Sequence, residues 1–182
     1  MKIILARHAA AEDKAASDAE RRLTPEGHEQ AAVMGRLIAA TVERVEQVWT
    51  SPLPRALETA EIAAKHLGVI PKIEPELAIG GELEQLCWKM HREAVTTLML
   101  VGHQPDLGRL AARLLGLVSE ISLKKSGVCI VETSDPARPV ARAVATLDPR
   151  QYRDILEGRE YAPWMMKKQV VGPSSSSRIN VR

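Results

Sequence analysis

The apolar run Ile3-Ile4-Leu5-Ala6 stops abruptly at Arg7-His8, and that junction constrains the fold more than any other stretch of the chain. Such a short continuous run reads as a strand buried on both faces, as in a parallel sheet covered by helices. An arginine and a histidine cannot follow it into a core without partners. They belong at the carboxyl end of the strand, where open α/β sheets bind their ligands.

The pattern recurs. Further strand-like runs lie at 46–50, 97–101, 127–132 and 140–147, with helical spacing between them. Thr24-Pro25 supplies an N-cap and a proline at the first helical position, opening a helix over 25–43. Ser51-Pro52 repeats that signal for a helix lined by Ala56, Thr59, Ala60, Ala63, Ala64 and Leu67 and ended by Gly68. Two more helices are expected over 82–94 and 106–116, the second closed by Gly116. The alternation predicts an α/β fold of three layers, α/β/α, around a mostly parallel sheet. The last two runs, joined by Asp135-Pro136-Ala137-Arg138-Pro139, predict an antiparallel edge pair.

With no phenylalanine and 3% aromatic residues, the core must be filled by Ala, Leu, Val and Ile. At 182 residues the chain reads as one domain over 1–150 with a C-terminal extension over 151–182. In that extension Tyr152 to Trp164 is expected to form a short helix, and Gly172-Pro173 with the four serines a flexible tail.

A net charge of +2, with both signs interspersed, argues against a nucleic-acid partner. No stretch approaches a membrane span, and the first apolar run is too short for a signal peptide. Cys87 and Cys129 stand far apart and off metal spacing, so they are expected as reduced thiols in a cytoplasmic protein. A monomer is expected.

Three separated segments carry the chemistry. His8 at a strand end can act as a nucleophile toward phosphorus or as a simple strand cap. Arg55 falls in the first turn of its helix, where the dipole disfavours a cation unless an anion lies against the backbone N–H groups. His103, in Gly102-His103-Gln104-Pro105, follows a second buried run and shares the sheet edge with His8 if the two strands are parallel. Its protonated form would add a third positive donor to Arg7 and Arg55. Zinc held by His8 and His103 is the competing functional reading, but it lacks a third ligand and the arginines would repel it. His28, His66 and His91 read as solvent-facing. Candidate acids or substrate-binding residues are Asp18 and Arg21 in the polar segment after the first strand, and Glu76 or Glu82 after the second helix.

Leu5-Ala6-Arg7-His8-Ala9, Leu23-Thr24-Pro25-Glu26-Gly27, the segment from Ser51 to Ala60, and Val101-Gly102-His103-Gln104-Pro105 together resemble the histidine phosphatase (phosphoglycerate-mutase-like) superfamily. The small size, and Lys125-Ser126-Gly127 ahead of a strand, resemble its SixA-type branch of phosphohistidine phosphatases, which lack the helical insertions of larger members. The match covers about residues 1–148. The resemblance implies that His8 is the phosphorylated nucleophile, that Arg7, Arg55 and His103 complete the phosphate pocket, and that neither metal nor cofactor is needed. Ala9 departs from the family's usual glycine and places a methyl beside His8.

The expected function is therefore a metal-independent phosphatase with a phosphohistidine intermediate, acting on a phosphorylated protein carrying phosphohistidine. Two alternatives remain: a phosphatase for small phosphorylated metabolites such as sugar or nucleotide phosphates, and a non-catalytic phosphate-binding regulatory module.

Overall fold

The computed structural model describes residues 1–157. Six strands form one mixed sheet: β1 (Lys2–Arg7), β2 (Gln47–Thr50), β3 (Lys72–Ile73), β4 (Thr97–Gly102), β5 (Val128–Glu132) and β6 (Arg142–Leu147). Five α-helices accompany them: α1 (Pro25–Thr41), α2 (Pro54–Leu67), α3 (Leu83–Arg92), α4 (Asp106–Leu115) and α5 (Pro149–Leu156). The strand order is β3-β2-β4-β1-β5-β6. β1, β4, β2 and β3 run parallel, while β5 is antiparallel to both β1 and β6. The expected antiparallel edge is thus the β5–β6 pair.

Successive strand residues point to opposite faces, and the core divides accordingly. Ile4, Ala6, Val48, Met99, Val101, Val128 and Ile130 pack with α1, α2 and α5 on one face. Ile3, Leu5, Trp49, Leu98, Leu100, Cys129 and Val131 pack with α3 and α4 on the other. Two helical layers around a sheet make the three-layer architecture. Small residues replace aromatic bulk where α1 meets α2. A Cβ placed on Gly35 would lie 2.8 Å from the Cα of Ala63, so the two helices meet backbone to backbone.

Local signals place most boundaries. The Thr24 hydroxyl accepts from Gly27 N–H and caps α1 behind Pro25. Gly68 and Gly116 end α2 and α4 with φ of 71° and 66°, a left-handed conformation open to glycine at little cost. Two expectations need correction. α2 begins at Pro54 rather than Pro52: Leu53 is the N-cap, and the Ser51 hydroxyl accepts from Leu53 N–H at 3.2 Å instead of capping the helix. The two-residue strand β3 was not expected, because two exposed residues carry no readable period.

The expected helix after Tyr152 starts earlier, at Pro149, and straddles residue 150. Its Tyr152 and Ile155 are buried in the core beside α1 and α2. The serine tail and Trp164 lie outside the described residues. Among the described residues no helix is long and apolar enough to cross a membrane.

Candidate active site

Register carries the site. In the parallel β1–β4 pair Arg7 stands opposite Gly102, so the next residue on each strand is a histidine leaving the same sheet edge. His8 N–H continues the ladder to the Gly102 carbonyl at 3.0 Å. The two imidazole centroids lie 5.2 Å apart with planes inclined by 51°. β2 flanks β4 on its other side, pairs Thr50 with Val101, and leads directly into α2, whose first turn holds Arg55. Three adjacent parallel strands therefore bring His8, Arg7, Arg55 and His103 to one place.

The His8 ring is fixed by its Nδ1, 2.8 Å from the Ala9 carbonyl. A carbonyl only accepts, so the bond assigns the proton to Nδ1 and leaves a lone pair on Nε2. Ala9 N–H donates to Thr59 Oγ1 at 3.1 Å, and that hydroxyl donates to the Arg55 carbonyl at 2.6 Å, tying the nucleophile's loop to α2. Ala9 is fully buried among Ala11, Leu23 and Ala31. Among the described residues Ser126 is the one non-glycine with a positive φ, so alanine stands in the glycine position without backbone strain.

Burial, reinforced by the charges of Arg55, Arg7 and Lys125, lowers the pKa of His8 to about 4, with the Ala9 carbonyl opposing. Burial likewise lowers His103 to about 3; His8 and Arg55 add to the shift and Asp18 opposes it. Both imidazoles are neutral at neutral pH in the unliganded site. Its Nε2 lies 2.8 Å from Ser51 Oγ, which also accepts from Leu53 N–H. A Ser51 hydroxyl that donates to Nε2 would leave the His103 proton on Nδ1, a neutral donor.

Three buried side-chain nitrogens among the described residues have no hydrogen-bond partner: Arg7 Nε, Arg55 Nε and His103 Nδ1. Buried donors are nearly always paired, so three unpaired ones around a single imidazole mark a place built for an anion. The remaining guanidinium contacts orient the donors. Arg7 Nη1 donates to the Leu123 carbonyl at 2.8 Å. Arg55 Nη1 donates to the Asp18 carbonyl at 2.6 Å, and Nη2 to Asp18 Oδ2 at 2.9 Å.

Asp18 and Arg21, expected as substrate-binding residues, reach the site through that contact. Asp18 Oδ1 accepts from Arg21 Nη1 at 2.9 Å, and Arg21 Nε donates to the Glu12 carbonyl. Arg21, and then Arg55, hold the Asp18 carboxyl below its usual range. Glu76 is placed differently. It sits on the turn Pro75–Leu77, its Oε1 2.6 Å from Lys89 Nζ, and Lys89 also bonds Glu74 at 2.9 Å. Among the described residues Glu76 has no hydrogen bond or ion pair with His8, Arg7, Arg55 or His103. Glu82 precedes α3 without a side-chain cap bond. His28, His66 and His91 are exposed, as expected. Ser51 was read as a helix start signal and Thr59 as part of that helix's lining face; their support of His103 and Ala9 depends on contacts 52 and 50 residues apart in sequence. Among the described residues no three His, Cys, Asp or Glu side chains are grouped to hold a metal ion.

An imidazole beside buried unpaired nitrogens at the sheet edge makes a site suited to a tetrahedral anion. The family model of the histidine phosphatase superfamily (branch 1) matches residues 3–157, and the chain belongs to that superfamily. An uncharacterized protein of Picosynechococcus sp. is 38% identical over 136 residues, covering 70% of this chain and 82% of the relative. Phosphohistidine phosphatase SixA of Escherichia coli is 29% identical over 119 residues, covering 63% of this chain and 74% of the relative. The solved structure of protein histidine phosphatase SixA complexed with tungstate aligns with a TM-score of 0.75 and 25% identity, over 83% of this chain and 99% of that one.

Proposed function

We propose that the protein is a metal-independent phosphatase that removes phosphoryl groups from protein phosphohistidine through a covalent intermediate on His8. The observation that carries this reading is the set of unpaired buried donors on Arg7, Arg55 and His103 beside an imidazole whose Nε2 lone pair is free to attack.

In the first step His8 Nε2 attacks phosphorus in line. A P–Nε2 bond forms, the P–N bond of the substrate breaks, and the departing imidazole nitrogen takes a proton from solvent. Arg7, Arg55 and His103 hold the three equatorial oxygens, where charge spreads in the transition state. In the second step water attacks phosphorus and loses a proton to solvent. The P–Nε2 bond breaks, its electron pair returns to His8, and inorganic phosphate leaves. A phosphoryl dianion close to His103 would raise that imidazole's affinity for a proton, the reverse of the unliganded balance.

The protein substrate is supported by the likeness to SixA, with 99% of the chain in the tungstate complex and 74% of the Escherichia coli protein covered. A phosphohistidine leaving group also asks less of a general acid than a sugar hydroxyl does.

The test is turnover of a phosphohistidine-bearing protein beside a panel of sugar and nucleotide phosphates, with mass spectrometry of the quenched enzyme. The expected result is hydrolysis of the phosphoprotein and a phosphoryl mass increment that His8→Ala abolishes. Turnover confined to the small phosphomonoesters would overturn the protein substrate. Tight phosphate binding with no hydrolysis would overturn catalysis.

A further inference from the structure

The turn formed by Lys124, Lys125, Ser126 and Gly127 is fastened to the strand end that carries the nucleophile. Arg7 N–H donates to the Gly127 carbonyl and Ser126 N–H to the His8 carbonyl, each at 3.0 Å, and Gly127 N–H closes the turn on Lys124 O at 2.8 Å. Ser126 stands at φ 61°, a left-handed conformation that side-chain-bearing residues rarely adopt. It is fully buried, and its hydroxyl donates to the Gln30 carbonyl of α1 at 3.3 Å. Its carbonyl accepts from the Tyr152 hydroxyl of α5. Backbone held in a sparsely populated conformation by contacts from several elements commonly serves a site.

What the turn displays is Lys125. The two adjacent lysines have different fates. Lys124 is exposed and paired with Asp148. Lys125 is half-buried, and no ion pair involves it among the described residues. It is joined by one peptide bond to the residue that hydrogen-bonds the His8 carbonyl. Its charge acts on the His8 imidazole together with those of Arg55 and Arg7, both phosphoryl ligands in the proposed mechanism.

We infer that Lys125 is a further phosphoryl-binding residue, a third cation beside Arg7 and Arg55, held against His8 by the Ser126 turn. The inference rests on the phosphatase reading. A lysine ammonium acts as a point charge and not as a fork, so it adds attraction for the dianion without dictating orientation. Its effect should therefore be the same whatever leaving group the substrate carries.

Titration with inorganic phosphate at low ionic strength tests the inference, because the probe has no leaving group and no protein surface. Lys125→Met is expected to weaken phosphate binding about tenfold, Lys125→Arg to retain most of it, and Lys124→Met to leave it within about twofold. Thermal melting of each variant separates loss of binding from loss of folding. An unchanged phosphate dissociation constant in Lys125→Met would overturn the inference and leave the phosphatase reading standing. So would an unchanged phosphate constant with a raised KM for the phosphoprotein, which would assign Lys125 to the partner's surface. Failure of the wild-type protein itself to bind phosphate would remove both readings.

Discussion

Arg7 and Gly102 face each other across the parallel β1–β4 pair, and because each is followed by a histidine, His8 and His103 leave the sheet 5.2 Å apart. One register decision thus builds the two-imidazole centre. A shift of one residue would displace one ring by a strand step of about 3.3 Å and turn it to the opposite face.

Arg55 is 2% exposed, and removing it leaves the remaining charges of the site without their fork-shaped partner. Arg55→Ala should weaken phosphate affinity and slow turnover together, by the roughly 2–5 kcal/mol typical of truncating a buried charge partner. Single-turnover kinetics with a phosphate titration measure both. Loss of one without the other would show that Arg55 serves only binding or only the transition state.

Asp18 occupies Arg55 in the unliganded protein through both its carbonyl and its Oδ2. A phosphoryl group must compete with that carboxylate. Asp18→Asn is expected to tighten inorganic phosphate binding about two- to fivefold, the scale of an exposed ion pair. Product-inhibition constants for both proteins give the answer, and weaker inhibition in the variant would instead make Asp18 a ligand.

Ser51 bonds His103 through the 2.8 Å contact at Nε2, and a hydroxyl donating there favours the Nδ1-protonated tautomer. Ser51→Ala should lower kcat by about ten- to a hundredfold, somewhat less than outright loss of one transition-state donor. The folded state should lose about 1 kcal/mol, as for one hydrogen bond. Nitrogen-edited NMR of His103 should show the Nδ1-protonated tautomer in the wild type and a mixture in the variant.

The two buried imidazoles also set a pH dependence of stability. Their folded pKa values, about 4 for His8 and about 3 for His103, lie below the ordinary value of 6.5, so between pH 6.5 and about 4 the unfolded chain binds more protons than the folded one. Stability contributed by the neutral rings is present above pH 6.5 and is lost as the pH falls through that window. The slope approaches about 1.4 kcal/mol per unit for each ring, less whatever other groups offset. Urea unfolding at pH 7.0 and 5.0 checks the sign, and His103→Asn should flatten the difference.

Much of the site was readable before any contact was known. Apolar runs ending in Arg7-His8 and in Gly102-His103, and an arginine in a helix's first turn, are short-range signals, and all four residues do converge. Ser51, Thr59 and the Ser126 turn were not readable in their roles, because each acts through a partner on another element. The surroundings of Glu76 were equally unreadable: Lys89 from α3 pairs with its Oε1, while its buried Oε2 has no hydrogen-bond partner.

Strand and helix positions, the small aliphatic make-up of the core, and the residue types able to take a dianion follow from periodicity, caps and side-chain chemistry, which act over a few neighbouring residues. The strand order, the Arg7–Gly102 register, the neutrality of both imidazoles and the seating of Asp18 on Arg55 were decided by folding. Each depends on burial and on distances between residues remote in the chain, and those exist only once the layers have packed.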